Sequence, residues 1–244
     1  MFGREPLKRT AMKNTAAILC ASSSLLFVAA PAWCAMVTVG PGGTANGYQY
    51  GQISDAIAAA SAGDTIHAAG RSVYGSDFRY AAFDLESGAD GLELIWGNSP
   101  GVIEVDGNLR VGANSVMSFE LTGTNNSRVL TTGRVDYDTV LVYGNLTLNG
   151  TFDVSLGSTY TPSVGNRFEL AATQGTIGWS GSTLGLHLIL PTLTAGQSWS
   201  TTIESGGLLG GQSLFITVVP APGATALLAA ATLVGNGRRR RTDR

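Results

Sequence analysis

Two carboxylates two residues apart are the first groups in this chain that could do chemistry. In the stretch VIEVDG, Glu104 and Asp106 project from one face of an alternating segment, and Ile103 and Val105 from the other. Paired carboxylates serve glycoside hydrolysis, one as acid and the other as base or nucleophile. Clustered acids also hold calcium in many polysaccharide lyases. The plainer reading is a solvated polar face on a half-buried strand. Asp136 and Asp138 in VDYD pose the same choice, and calcium takes about six to eight oxygen ligands, more than one such pair supplies.

Other chemistries find fewer residues. His67 and His187 are far apart in sequence, each in an apolar segment, and no third ligand stands beside either. No P-loop or G-x-G-x-x-G stretch occurs. Residues 36–219 contain no Lys, which removes lysine bases and Schiff-base lysines. Both cysteines, Cys20 and Cys34, lie in or beside an N-terminal apolar segment, so the body has no disulfide to close and no cysteine nucleophile. Asn125, Asn145 and Asn149 each begin an N-x-[ST] tripeptide, a pattern that arises often by chance in Asn/Thr-rich turns. These residues imply no catalytic group, no cofactor and no metal site.

The elements that would position such groups are short strands. Charged residues are 13 % of the 244-residue chain and Gly is 33 of it, about twice the usual ~7 % share. Residues 36–219 hold six Arg against fifteen Asp and Glu, and the other nine basic residues sit in the two ends. An acidic body without clustered cations is not a nucleic-acid partner. Alternating runs bounded by Gly, Asn or Asp read as strands: GVIEVDG, NLRVG, SVMSFELTG, DTVLVYG, NLTLNG, TFDVSL, RFELAA, LHLIL, WSTTIES and SLFITVV. In TFDVSL, Phe152, Val154 and Leu156 face one way, Asp153 and Ser155 the other.

One helix interrupts this pattern. From Ile53 to Ala62 the apolar residues Ile53, Ala56, Ile57 and Ala60 follow helical spacing, Ser54 or Asp55 can cap it, Gly63-Asp64 stops it, and TIHAAG follows as a strand. The segment resembles the entry of right-handed parallel β-helix proteins of the pectate-lyase-like type, where a small helix covers the first open rung. The resemblance implies an all-β fold: a short right-handed β-solenoid with an N-terminal capping helix. Strand spacing alone leaves an antiparallel β-sandwich as the alternative. YDTVLVYGNLTLNGTFDVSL with GNRFELAA also resembles strand-rich passenger segments of bacterial surface proteins, which implies an exported scaffold.

The two ends carry addresses. Arg4, Lys8, Arg9 and Lys13 precede the apolar TAAILCASSSLLFVAA, and small residues follow in APAWCA, the order of a cleavable export signal over 1–35. Its helix is short of the ~20 apolar residues of a permanent span, and Met12 is a second possible start. At the other end, Pro220 and Pro222 break the last strand. The apolar run 223–234 and then Arg238, Arg239, Arg240 and Arg241 follow, and arginines beside an apolar run stay on the cytoplasmic side. This order resembles the PEP-CTERM sorting signal of exosortase substrates, with Ala221 standing where the family usually has Glu. The resemblance implies an exosortase-type transpeptidase and the export machinery as partners, with transient membrane attachment through a C-terminal hydrophobic helix.

The sequence thus divides into a signal peptide (1–35), an exported β-rich domain (36–219) and a sorting segment (220–244). The expected function is that of a non-enzymatic cell-surface or extracellular-matrix protein. The alternative is a small polysaccharide-binding or lyase-like β-helix, with extracellular polysaccharide as its partner.

Overall fold

A computed structural model describes residues 35–70, 79–85, 91–96, 100–126, 135–181 and 184–222. The expected N-terminal signal helix and C-terminal hydrophobic helix lie outside these residues. Among the described residues the fold is all-β apart from one short helix and two 3-10 turns. In chain order the elements are β1 (Met36–Val39), α1 (Ile53–Ala59), β2 (Thr65–Ala68), β3 (Tyr80–Leu85), β4 (Glu93–Trp96), β5 (Val102–Val111), β6 (Val116–Asn126), β7 (Val135–Tyr137) and β8 (Thr139–Val142). They continue with β9 (Leu146–Leu148), β10 (Thr151–Leu156), β11 (Arg167–Thr173), β12 (Ile177–Trp179), β13 (Leu188–Ile189), β14 (Gln197–Ser205) and β15 (Gln212–Pro220).

The strands form two sheets. The first runs β1-β2-β4-β6-β10-β13 with every neighbour parallel, and β7 adds to β6 antiparallel. Parallel pairing aligns one inward residue of each strand into a column: Val37, Ile66, Leu94, Met117, Phe152 and Leu188. The first five are buried and the last is half-buried. Full burial of such a side chain is worth about 1.5–3 kcal/mol, so each column stabilises the stacking that creates it. Trp96, Phe119 and Phe152 stack in the same interior with ring centroids 4.5 and 4.7 Å apart.

The second sheet runs β12-β9-β5-β8-β11-β15-β14, with β3 also on β5. Besides β3, strand β5 serves two more partners, because Val102–Val105 pair with β8 and Leu109–Val111 with β9, all parallel. The sequence reads these as two strands. They are one strand bent at Gly107, whose φ of 120° is closed to most other residues. The next corner residue, Asn108, accepts the backbone N–H of Asn145 at 2.8 Å through Oδ1, and Asn145 Oδ1 accepts the backbone N–H of Thr176 at 2.9 Å. The polar side chains thereby tie successive corners together.

Antiparallel pairing joins β6 to β7, β11 to β15 and β14 to β15. A wholly antiparallel sandwich therefore does not describe the chain. Two local expectations also change. Helix α1 ends at Ala59, and its N-cap is Gln52 rather than Ser54 or Asp55, with no side-chain cap bond. Gln52 instead accepts the Ala81 backbone N–H at 2.9 Å, which fixes the start of α1 to β3. LHLIL is not one strand: its first two residues end a 3-10 turn, Leu184–His187, and only Leu188–Ile189 form β13. Its His187 ring reaches two backbone carbonyls, a tether that favours a turn over an extended run.

Candidate functional site

Glu104 and Asp106 share a strand face, as alternation requires, but not an environment. Glu104 is 2 % exposed and Asp106 is exposed. The residue before β3, Arg79, reaches over β5 and places Nε 3.3 Å from Glu104 Oε2. The Tyr143 hydroxyl donates to the same oxygen at 3.0 Å. The Arg79 guanidinium lies 3.6 Å above the centre of the Tyr143 ring, so one cation meets both a carboxylate and a π face. Val102, Leu141, Ala172 and Val135 form a small apolar cluster, against which Tyr143 also packs. Two carboxyls that cleave a glycosidic bond must both reach it. With Glu104 buried under Arg79, this pair does not.

The second acidic pair is structural in the same way. Asp138, 1 % exposed, accepts the backbone N–H of Gly101 at 2.6 Å and of Glu120 at 2.7 Å. It bridges two chain segments at a corner, and Asp136 accepts from Asn125 N–H at 3.3 Å. Asp64 repeats the device on the Ala35 and Ser61 N–H groups, at 2.7 and 2.8 Å. Among the described residues no three His, Cys, Asp or Glu side chains gather as a metal set would. His187 is buried between the carbonyl oxygens of Gly150 and Ser180, at 2.8 and 2.6 Å. His67 is half-buried on β2 in register with Thr38 and Ile95, so the structure does not join the histidines in one site.

A second arginine repeats the first arrangement further along the sheet. Arg167 Nη2 lies 2.7 Å from Glu204 Oε2, and its guanidinium is 3.7 Å from the centre of the Phe215 ring. The Arg167 hydrogen bond holds the Glu204 carboxyl below the usual carboxylate range, against a smaller opposing effect of burial. With Tyr137, Glu169 and Gly206 these groups line an open cleft of about 310 Å³. A wider cleft of about 530 Å³ lies between α1 and β3, lined by Ile57, Phe83, Asp84 and Asn108. Sequence reasoning singles out none of Arg79, Tyr143, Arg167 and Phe215. Only the strand register brings each arginine to its ring.

Of the expected sorting residues, Pro220 is the last residue of β15, and the Ala221 backbone N–H donates to Gly196 O at 2.9 Å. Pro222 closes the described chain, and Arg238, Arg239, Arg240 and Arg241 lie outside it. Among the described residues no helix is long and apolar enough to cross a membrane. No protein-family model matches this chain, and neither a curated protein nor a solved structure matches it. What the site offers chemically is two half-exposed guanidinium groups held flat on aromatic rings. They suit binding of hydroxyl and carboxylate oxygens rather than proton transfer.

Proposed function

We propose that this chain is a non-enzymatic exported protein of the cell surface or extracellular matrix, delivered by its C-terminal segment to an exosortase-type transpeptidase. The observation that carries this reading is the position of the body relative to the two ends. The buried apolar side chains run from Val37 to Val218 among the described residues. The Pro220-Ala221-Pro222 stretch begins where β15 stops. Cleavage near Val37 and after Pro222 would therefore leave the apolar core whole. The parallel columns, the Asn108–Asn145–Thr176 corner and the placement of α1 against β1, β2 and β3 support a short β-solenoid body. The right hand is assigned on the general preference of parallel crossovers. The test is intact-mass analysis of protein recovered from the cell surface. The expected chain begins between Pro31 and Val37 and ends near Pro222, and a surface chain still ending at Arg244 counts against sorting.

The two stacked arginines favour a second reading, in which the outer face of the second sheet binds an acidic polysaccharide. Each arginine side chain is about two-fifths exposed, 40 % for Arg79 and 42 % for Arg167. Binding of an acidic polysaccharide that Arg79→Gln and Arg167→Gln both weaken would support it. Depolymerisation of the polysaccharide in the presence of calcium would instead make the protein an enzyme.

A further inference from the structure

The two ends of the strand stack are finished differently. At the N-terminal end the outer edge of β1 is occupied: Thr38 O accepts the N–H groups of Gln49 and Tyr50 at 3.0 and 3.1 Å, and Thr38 N–H donates to Gln49 Oε1 at 2.7 Å. On the other sheet the edge strand β3 gives its Ala81 N–H to Gln52, and α1 packs against it. At the C-terminal end β14 is the last strand of its sheet. Among the described residues no strand pairs with its outer edge, and no backbone hydrogen bond reaches that edge apart from the Gln197 turn to Thr194.

Strand β14 also lacks the features that protect an edge. It is nine residues long and its register with β15 has no bulge. The sequence QSWSTTIES contains no Pro, Gly or Lys, and its one charge, Glu204, is paired with Arg167 of the same chain. Long, flat, uncharged edges are templates for further pairing.

We propose that two copies of this chain pair through β14, antiparallel about a two-fold axis at Thr201. The strand is chemically symmetric about that residue. Such pairing sets Trp199 opposite Ile203 of the second copy, Ser200 opposite Thr202, Ser198 opposite Glu204 and Gln197 opposite Ser205. Trp199 and Ile203 already pack on the core within each copy, so apolar groups continue along one face and polar groups along the other. No like charges meet. Because the edges of β1 and β3 are occupied, β14 of one copy has no open strand to add to at the N-terminal end of another, and the self-complementary contact closes as a dimer rather than growing into a fibre.

The test uses the full chain in mild detergent and a pair of double variants. The parent is a dimer by light scattering. Ser200→Glu with Thr202→Glu, or Ser200→Lys with Thr202→Lys, sets like charges directly across the axis and weakens dimerisation about tenfold or more. Mixing the two variants restores a one-to-one dimer, a recovery that misfolded chains would not show. In the parent, dilution to monomer accelerates amide exchange in β14 but not in β1. A parent that stays monomeric at every concentration, or a dimer that both double variants leave unchanged, overturns the proposal.

Discussion

Asn145 gives its backbone N–H to the Asn108 side chain at 2.8 Å and returns the same service to Thr176 with its own Oδ1. Each corner is thus held by the side chain of the corner before it. Replacing Asn145 by Ala removes the acceptor for the Thr176 N–H and hydroxyl. The expected loss is about 1–2 kcal/mol, read as a lower urea midpoint with an unchanged slope.

Gly144 precedes that asparagine, and its role is steric. A Cβ there would come 2.6 Å from Asn108 Oδ1 and from the Gly107 carbonyl. Gly144→Ala should cost about 1–3 kcal/mol through the forced separation of the corners. Gly178 on β12 has nothing within 4 Å of the same position, so Gly178→Ala should stay within about 0.5 kcal/mol of the parent. Thermal unfolding of the two variants side by side makes the comparison.

In the interior, Phe152 is fully buried between Met117 and Leu188 in register and stacks on Phe119. Truncation to Ala should cost about 3–5 kcal/mol. Phe152→Asp, which buries an unpaired charge, should abolish the cooperative transition in a denaturant titration.

Removal of Arg79 takes away the cation beside the Glu104 carboxylate. Arg79→Ala should destabilise by about 2–3 kcal/mol. Adding Glu104→Gln should restore part of that loss, because the second change removes the charge the first one strands. A double-mutant cycle on unfolding free energies measures the coupling.

Glu204 links stability to acid. Its carboxyl is held low by the Arg167 hydrogen bond and by the Arg167 charge, so the folded chain binds this proton less readily than the unfolded one. The stabilisation is complete above the ordinary Glu range, about pH 4.3, and is lost as pH falls through the lowered folded value. In a carboxyl NMR titration Arg167→Gln should move the Glu204 midpoint upward. At the alkaline end, burial and then the Asp136 charge push the Tyr160 hydroxyl up. Its ionisation in the folded chain should therefore follow that of a free tyrosine, and stability should fall as pH rises between the two values.

The strand alternation was legible in several of the longer strands with one buried face. TFDVSL forms β10 with Phe152 and Val154 buried, and Ile103 and Val105 are fully buried in β5. Helix α1 was legible because four apolar residues share one face. The pairing was not. The column from Val37 through Ile66, Leu94, Met117 and Phe152 to Leu188 advances by unequal steps, so no fixed period marks the rungs. Short strands such as β4, whose Leu94 and Trp96 are buried, carry too few alternations to stand out alone. The burial of Glu104 was hidden for the same reason. Arg79 covers it only because the start of β3 lies beside β5, a relation set by register and not by spacing along the chain.

Strand β15 lies between two antiparallel neighbours, matched residue by residue to β14 from Gln212 to Pro220 and to β11 from Ser213 to Thr217. Its hydrogen bonds run crosswise to its axis. A pull on the chain beyond Pro220 is therefore directed along the strand and loads these bonds in shear, many at once, instead of peeling them singly. Whatever holds the protein by its C-terminus grips it through a strand bonded along both edges. A tether at the other end would load the four-residue β1, paired with β2 and bonded on its outer edge only through Gln49 and Tyr50, and would have fewer bonds to share the force.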